Sequence, residues 1–134
     1  MKKEFIHEIR IYYEDTDSGG VVYYANYLKF LERARTEAIY SFGLTNNTLR
    51  EKYGTLIIVK SCKIDYLKPS KFEDKLTISS KLKEISKTSF VMEQNIYRDK
   101  ELITKAEVHL VTVNENAKPI KIPEILEKNL KETI

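Results

Sequence analysis

The residues best suited to chemistry lie in one short stretch, residues 13–27, between a strand-like run and a helical pattern. The stretch holds two carboxylates, Asp15 and Asp17. Gly19 and Gly20 follow them and let the backbone turn tightly and let another group approach closely. The first turn of a helix offers free N–H groups and a positive dipole end, which can bind an oxyanion. A carboxylate beside such a helix start suits acyl transfer. The structural alternative is that both aspartates cap the helix and the glycines form a turn.

Other kinds of reaction centre are not indicated. No serine sits in a Gly-x-Ser-x-Gly elbow, and no phosphate-binding or dinucleotide-binding glycine motif is present. Cys62 alternates with apolar neighbours in a predicted strand, so we expect a buried, unreactive thiol. His7 and His109 also fall in predicted strands, and two distant histidines with one cysteine do not make a zinc site. What remains is a carboxylate that attacks an acyl carbon directly or deprotonates a water.

Composition limits the class of protein. A chain of 134 residues forms one domain with a single core. Apolar residues make up 42%, and no apolar run approaches the roughly 20 residues that span a bilayer. The net charge of +3 could favour a polyanionic ligand, but the scattered lysines are no nucleic-acid signature. The N-terminus lacks an apolar signal core, and the single cysteine fits a reducing compartment. We expect a cytoplasmic protein without a transmembrane segment.

One long helix is predicted from about Ala25 to Phe42, where the spacing of apolar residues becomes helical. Its apolar arc is too broad for a helix that rests lightly on a sheet. The arc consists of Tyr27, Leu31, Ala34, Ala38 and Phe42, widened by Leu28, Phe30 and Ile39. Arg35 within the arc and Glu32 at its edge are three residues apart, so they can form an ion pair.

Alternation of apolar and polar residues predicts one strand from Phe5 to Tyr13 and four more at 56–67, 75–85, 89–98 and 102–113. In the second strand the alternating set is Ile58, Lys60, Cys62, Ile64 and Tyr66. The short gaps at 86–88 and 99–100 indicate antiparallel hairpins. Residues 44–54 should include a short helical turn anchored by Leu49, and residues 124–131 a short helix. The pattern predicts an α+β fold in which a four-strand meander covers the long helix.

A longer motif supports a family assignment. Residues 15–27 follow the pattern Asp-x-Asp-x-x-Gly-x-Val-Tyr-Tyr-x-Asn-Tyr. This pattern resembles the signature of the hotdog-fold acyl-CoA thioesterases of the 4-hydroxybenzoyl-CoA thioesterase type. Within that family, residues 12–17 and 32–37 are most similar to the members that accompany the bacterial Tol-Pal envelope system. The length and the predicted order of elements fit along the whole chain.

The resemblance implies a hotdog fold for a single domain of residues 1–134. It also implies a homodimer, or a dimer of dimers, with sites at the dimer interface. The expected substrate is an acyl-CoA or acyl-carrier-protein thioester, cleaved without a metal or cofactor. Asp17 would be the nucleophile or general base, and the backbone N–H of Tyr24 would polarise the thioester oxygen. Val22, Tyr23 and Asn26 would lie beside the substrate, while Asp15 would cap or orient the loop.

Three positions outside the motif are further candidates for substrate contacts. Glu32 matches a carboxylate that contacts substrate in the hydroxybenzoyl enzymes, which carry Asp where this chain has Glu, so a phenolic substrate does not follow. Many envelope-associated members carry histidine where this chain has Tyr24, so only a role for its main chain is inferred. Lys60 and Lys87 could hold the phosphates of coenzyme A, and a solvated surface lysine is the alternative for each.

Two other functions stay open at this point. A non-catalytic hotdog module could hold an acyl chain or a partner of the envelope system, although the intact Asp17 favours an enzyme. A hotdog dehydratase would need a histidine with a carboxylate across the dimer, and the loop offers no histidine. The acyl group itself is not determined: short-chain, longer-chain and aryl substrates all remain possible.

Overall fold

The computed structural model describes residues 3–134; residues 1–2 of the N-terminus, where no signal segment is predicted, lie outside the described residues. An antiparallel five-stranded sheet packs against one long helix, which confirms the expected α+β hotdog fold. In chain order the elements are β1 (Phe5–Arg10), a 3₁₀ turn (Tyr13–Asp15), α1 (Asn26–Tyr40), α2 (Asn46–Tyr53), β2 (Leu56–Tyr66), β3 (Lys75–Ile85), β4 (Ser89–Arg98), β5 (Glu101–Val113) and α3 (Glu124–Lys131).

The strand order is β1-β3-β4-β5-β2, with every pair antiparallel. β3, β4 and β5 form a meander through short hairpins, but β2 pairs with β5 at the far edge. The predicted four-strand meander is therefore wrong. Residues 67–74, which contain Pro69, are too many for a tight hairpin, so β2 and β3 need not be neighbours. The crossover leaves β2 as an edge strand.

A bulge at Lys60 changes which side chains of β2 share a face. Val59 lies opposite Leu110 and Ser61 opposite His109, which leaves Lys60 as the extra residue. One extra residue reverses the alternation of side chains along a strand. The predicted set is therefore wrong for Ile58 and Lys60, whereas Cys62, Ile64 and Tyr66 share one face as predicted. The residues on the helix-facing side are Ile57, Val59, Cys62, Ile64 and Tyr66.

The edge position also leaves much of β2 uncovered. Ile58 is 42% exposed and Val59 is 49% exposed. Cys62 is exposed as well, so the prediction of a buried thiol is wrong for the single chain. Partial desolvation still raises the pKa of the Cys62 thiol, while nearby Arg35 acts in the opposite direction. The thiol form is therefore favoured, in keeping with an unreactive cysteine.

The broad buried face predicted for α1 is largely present. Its buried residues are Tyr27, Phe30, Leu31, Ala34, Ala38 and Ile39. Leu28, predicted within the same face, is 46% exposed because it lies on the side of the helix that faces the open edge strand. The helix begins at Asn26, one residue later than predicted, and the chain turns away at Gly43, whose φ of +77° favours glycine.

The two shorter helices close the end of the core away from the start of α1. In α2, Leu49 is 1% exposed and Thr45 caps the first turn by accepting the Thr48 N–H at 2.9 Å. Leu126 and Leu130 of α3 join the same core cluster. No helix within residues 3–134 is long and apolar enough to cross a bilayer.

Candidate active site

Residues 16–22 form a tight turn stabilised by backbone hydrogen bonds. The Asp17 N–H donates to the Val21 carbonyl at 2.9 Å, and the Gly20 N–H donates to the Asp17 carbonyl at 3.0 Å. Thr16 and Val22 lie opposite each other as an antiparallel bridge. Gly20 has φ of +81°, a conformation that side-chain-bearing residues adopt at a cost. The predicted glycine turn is therefore present.

The turn places the Asp17 carboxylate at an exposed position with a fixed orientation. Oδ1 accepts the Gly19 N–H at 2.7 Å. Within residues 3–134, Oδ2 has no hydrogen-bond partner. A Cβ atom on Gly19 would lie 3.2 Å from Oδ1, a contact tighter than ordinary packing. Glycine at position 19 therefore lets the backbone approach the carboxylate and hold one oxygen while the other stays free.

Asp15 stabilises the loop through hydrogen bonds of its side chain and its backbone carbonyl. Its Oδ2 accepts the Tyr12 N–H at 2.8 Å and so closes the 3₁₀ turn, which is why β1 stops at Arg10 and does not extend to Tyr13. Its carbonyl accepts the Tyr23 N–H at 3.0 Å and Asn26 Nδ2 at 2.9 Å. Asn26, predicted beside the substrate, thus uses its amide to hold the loop. The cap residue of α1 is Ala25, with no side-chain cap, so the alternative that the aspartates cap this helix is wrong.

The start of α1 presents free backbone donors. Among the described residues, none accepts a hydrogen bond from the N–H of Tyr24 or Ala25. The Tyr24 side chain is 61% exposed. Its carbonyl, in contrast, accepts the Tyr27 N–H at 3.2 Å and the Tyr66 hydroxyl at 3.3 Å. An uncapped helix start with unused N–H groups can stabilise a developing negative charge.

The two adjacent tyrosines connect the carboxylate to the helix start. The Tyr23 and Tyr24 rings lie 4.9 Å apart between centroids. The pKa of the Tyr23 phenol is raised above its ordinary value, mainly by the Tyr24 side chain and to a smaller extent by the Asp17 carboxylate. The Asp17 carboxylate therefore lies close enough to Tyr23 for its charge to act on the phenol.

A cavity of about 200 Å³ lies beside Tyr24. Val22, predicted as a substrate contact, lines it but is only 5% exposed, and its N–H donates to the Ser70 carbonyl at 2.8 Å. Tyr66 at the end of β2 forms the opposite wall. No local sequence pattern marks Tyr66 as a site residue, because its contact with Tyr24 joins residues 42 positions apart.

A second cavity, of about 160 Å³, lies between α1 and the sheet. Its apolar wall consists of Ile39, Ile57, Val59, Phe90, Met92 and Leu110. Glu32 and Arg35 also line it, but they do not form the predicted ion pair. The Glu32 carboxylate instead accepts the Thr36 hydroxyl at 3.2 Å, and Arg35 Nη1 donates to Gln94 Oε1 at 3.1 Å. Gln94 was missed, although a polar residue among apolar alternating positions was a signal.

The two cavities both lie between α1 and β2, since residues of each element line them. On the helix side, Tyr24, Leu28, Glu32, Arg35 and Ile39 follow one another at intervals of three or four residues, so they share one stripe. The helix-facing residues of β2 form the other side. We call this feature the α1–β2 groove. Tyr24 lines the first cavity, and Glu32 and Ile39 line the second, so the helix stripe runs from one cavity to the other.

The predicted phosphate-binding lysines are not brought to the loop. Lys60 lies at the β2 bulge, and Lys87 lies in the β3–β4 hairpin. β3 starts near the loop, where Lys71 pairs with Val21, and its 11 residues span roughly 35 Å before the chain reaches Lys87. Lys87 and Asp17 of one chain therefore cannot contact the same small group. Lys68 is nearer, but it is paired with Glu101 at 2.6 Å.

Within the part of the chain that the structure describes, no group of three or more His, Cys, Asp or Glu side chains is arranged to hold a metal ion. The functional groups that the loop and helix start bring together are therefore a carboxylate, backbone amides and phenols. This set can attack or polarise a carbonyl compound, or activate a water.

Comparison with known proteins places the chain in a family. The model of the thioesterase-like superfamily matches residues 12–130. An acyl-CoA thioesterase YbgC from Haemophilus influenzae is 38% identical over 120 residues, covering 89% of this chain and 88% of that protein. An acyl-CoA thioester hydrolase YbgC from Escherichia coli is 36% identical over 124 residues, covering 91% and 89%.

The fold agrees with that placement. The 4-hydroxybenzoyl-CoA thioesterase from Pseudomonas sp. strain CBS-3 superposes with a TM-score of 0.85, covering 92% of this chain and 97% of that one at 24% identity. This likeness concerns the fold alone. Together with the match over residues 12–130, it confirms the family predicted from the motif. The chain therefore belongs to the thioesterase-like superfamily, and it is a thioester hydrolase.

Proposed function

We propose that the protein hydrolyses the thioester bond of acyl-CoA, with the Asp17 carboxylate as nucleophile or general base. The observation that carries this proposal is the geometry of the loop. One oxygen of Asp17 is held by the Gly19 N–H while the other is free, and the uncapped helix start with its unused Tyr24 N–H lies on the same loop. The names of the curated relatives favour acyl-CoA as the substrate. An acyl carrier protein thioester is the alternative carrier, because the bond cleaved is the same.

The reaction needs few groups. The thioester oxygen accepts the Tyr24 N–H, which polarises the carbonyl carbon. In the nucleophilic route, Asp17 attacks this carbon, the carbon–sulfur bond breaks and thiolate leaves. Water then hydrolyses the resulting anhydride and regenerates Asp17. In the general-base route, Asp17 takes a proton from water as the water attacks, the same bond breaks, and the proton then passes from Asp17 to the departing thiolate or to solvent. Thiolate is a good leaving group, so neither route requires a strong general acid.

We propose that the loop end of the α1–β2 groove holds the thioester and that the cavity beside Glu32 holds the acyl group. Val22 and Tyr23 would border the thioester, and Asn26 would keep the loop in place. Lys60 lies beside Val59 at the acyl end of the groove, so it could meet the coenzyme phosphates only as part of a second copy. Lys87 could do so only from a second copy, since it lies at the opposite end of the sheet from its own loop.

A homodimer is the proposed active form, and two dimers could associate further. β2 presents an unpaired strand edge of 11 residues with exposed Ile58 and Val59, a surface suited to pairing with another strand. A second copy of β2 would cover this edge and supply the missing wall of the α1–β2 groove. Sedimentation should find dimers or larger oligomers at low micromolar concentration. A stable, active monomer would contradict this part of the proposal. We further propose that the protein acts in the cytoplasm.

The decisive experiment is a thiol-release assay with the purified protein and a panel of acyl-CoAs of different chain lengths and aryl groups. We expect release of coenzyme A from at least one class of acyl-CoA, in proportion to enzyme concentration. Binding of acyl-CoA without release of thiol from any member would instead support the non-catalytic module. Hydrolysis of acyl carrier protein thioesters in preference to acyl-CoA would change the carrier but not the chemistry.

A further inference from the structure

The cavity beside Glu32 contains a cation in an otherwise mostly apolar wall. Arg35 is half-buried and lines this cavity together with six apolar side chains. Burial lowers the pKa of Arg35, whereas nearby Glu32 and Cys62 raise it. An arginine side chain nevertheless keeps its charge in proteins. The cavity therefore offers a permanent, partly desolvated positive charge to whatever enters it.

The position of this charge is fixed by a buried amide. Arg35 Nη1 donates to Oε1 of Gln94, which is 0% exposed. Gln94 Nε2 in turn donates to the Leu31 carbonyl at 3.0 Å and to Ser80 Oγ at 2.9 Å. Gln94 thus forms hydrogen bonds with α1, with β3 and with the Arg35 guanidinium at the same time. It acts as a positioning residue that holds the guanidinium against the cavity.

Most of the hydrogen-bonding capacity of Arg35 is unused. The guanidinium has five N–H groups, and within residues 3–134 one hydrogen bond, the one to Gln94, is formed. The nearest carboxylate, Glu32, accepts the Thr36 hydroxyl and does not pair with Arg35. Partly buried donors of a charged group gain considerable free energy from an acceptor. The cavity is therefore suited to a ligand that carries an oxygen.

The distance from the reacting bond limits the size of that ligand. Arg35 itself follows Tyr24 by eleven residues, but its side chain leans back toward the start of α1, because Gln94 bonds both Arg35 Nη1 and the Leu31 carbonyl. The guanidinium therefore lies near the level of Glu32, which follows Tyr24 by eight residues, or about 12 Å along a helix. Two hydrogen bonds of about 3 Å each, one at each end, leave about 6 Å for the acyl group. An extended chain advances about 1.2 Å per bond, so about five bonds fit. The cavity volume of about 160 Å³ agrees, since a cavity of about 150 Å³ can hold a benzene ring.

We propose that Arg35, positioned by Gln94, selects acyl groups of about six carbons that carry a hydrogen-bond-accepting oxygen, a hydroxyl or a carboxylate, at the end away from the thioester. This inference rests on the proposed hydrolysis of acyl-CoA. It adds a specificity-determining residue that the sequence motif does not contain.

The test compares three acyl-CoAs of equal length: hexanoyl-CoA, 6-hydroxyhexanoyl-CoA and 5-carboxypentanoyl-CoA. We expect the wild-type protein to prefer at least one of the oxygenated substrates over hexanoyl-CoA by about tenfold in kcat/KM, the effect of one charge-assisted hydrogen bond. Arg35→Met should abolish this preference by lowering kcat/KM for the oxygenated substrates toward the value for hexanoyl-CoA. The two oxygenated arms distinguish a hydroxyl from a carboxylate as the favoured group.

Arg33→Met is the matched control, because Arg33 is an exposed arginine on the same helix and does not line this cavity. It should keep the wild-type preference. If Arg35→Met does not fold, because Gln94 Oε1 loses its partner, Arg35→Gln offers an N–H donor in its place and removes the charge, so it should weaken the preference. Equal hydrolysis of all three substrates by the wild type would overturn the inference while leaving the proposed function intact. An equal loss for all three in Arg35→Met would also overturn it.

A binding measurement separates the two proposals if no thiol is released. Calorimetry with the Asp17→Asn protein should find tighter binding of an oxygenated acyl-CoA than of hexanoyl-CoA, and Arg35→Met in the same background should remove the difference. Indistinguishable affinities in the Asp17→Asn protein would refute the selection by Arg35, whatever the outcome of the activity assay.

Discussion

The two ends of the α1–β2 groove are built from different parts of the polypeptide. At the loop end, the Asp17 carboxylate and the Tyr24 N–H are held almost entirely by backbone hydrogen bonds among neighbours in sequence. At the cavity end, side chains from α1, β2, β4 and β5 meet, and the polar ones are held by one another. A group that must react needs a fixed geometry, which a short turn supplies. A surface that selects among acyl groups can change its selectivity through the substitution of single side chains.

This comparison predicts that changes at the loop end alter the rate for every substrate, whereas changes at the cavity end alter the choice of substrate. The largest effect is expected for Asp17→Asn, which keeps the size of the side chain and its bond from the Gly19 N–H but removes the charge. Turnover should fall by about 10²–10⁴-fold, as for the loss of a positioned general base, with little change in acyl-CoA binding. Thiol release and calorimetry measure the two quantities.

Asp15→Asn is the control for that variant. Its side-chain oxygen can still accept the Tyr12 N–H, so the loop should keep its shape and turnover should fall much less. A folded Asp17→Asn protein with near wild-type turnover would rule out the carboxylate mechanism altogether.

Gly19→Ala should have the next largest effect. The new methyl group would lie 3.2 Å from Asp17 Oδ1 and push the carboxylate by a few tenths of an ångström. Since a displacement of about 1 Å can cost about 100-fold in rate, we expect a loss of about tenfold in kcat for all acyl-CoAs. Stability should change little, because the backbone at Gly19 does not have a positive φ. Steady-state kinetics and thermal unfolding test both statements.

The adjacent variant Gly20→Ala separates the effect of backbone strain from the effect of steric contact with the Asp17 carboxylate. Its φ of +81° is unfavourable for alanine, but no atom lies within 4 Å of the added Cβ. This variant should lose about 1–2 kcal/mol in free energy of unfolding. If Gly19→Ala lowered stability more than Gly20→Ala did, the effect on kcat would reflect a damaged turn and not a displaced carboxylate.

A smaller effect, on selectivity alone, is expected for Glu32→Gln at the cavity end. The amide oxygen can still accept the Thr36 hydroxyl, but the negative charge near Arg35 is gone. Preference should therefore shift toward acyl groups that end in a carboxylate, by about fivefold in kcat/KM relative to hexanoyl-CoA, since like-charge repulsion is removed. Glu37→Gln, an exposed position on the same helix, is the control. A uniform loss for every acyl-CoA would place Glu32 in the chemical step.

The same contrast explains what the sequence could predict. The loop end is encoded in consecutive residues, so the motif at 15–27 predicted the glycine turn and the supporting position of Asp15. The helix and strand bounds followed from periodicity and agree with the structure within three residues at each end. The family and the fold followed from the motif and the order of elements.

Contacts between distant residues were not predictable in this way. The pairing of β2 with β5 depends on a crossover that leaves no local pattern, so the four-strand meander was wrong. The bulge at Lys60 shifted the faces of β2, and the open edge exposed Cys62. At the cavity end, Arg35 donates to Gln94 on β4 and not to Glu32, although Glu32 is nearer in sequence.

Tyr66 connects the edge strand β2 to the start of α1, so it tests where the reacting end of the groove stops. Its hydroxyl donates to the Tyr24 carbonyl at 3.3 Å, a long hydrogen bond that orients the first turn of α1. Tyr66→Phe keeps the ring packing against Tyr27 and removes only this bond. A net contribution of at most about 1 kcal/mol corresponds to a loss of no more than about fivefold in kcat, and we expect about two- to threefold. KM should stay unchanged, because no contact with the acyl cavity is lost.

Tyr40→Phe, an exposed tyrosine near the other end of α1, is the matched control and should have no effect. A change in selectivity without a change in kcat in Tyr66→Phe would mean that Tyr66 belongs to the acyl-binding surface. It would then not support the helix start, and the division of the groove into a reacting end and a selecting end would fail at this residue.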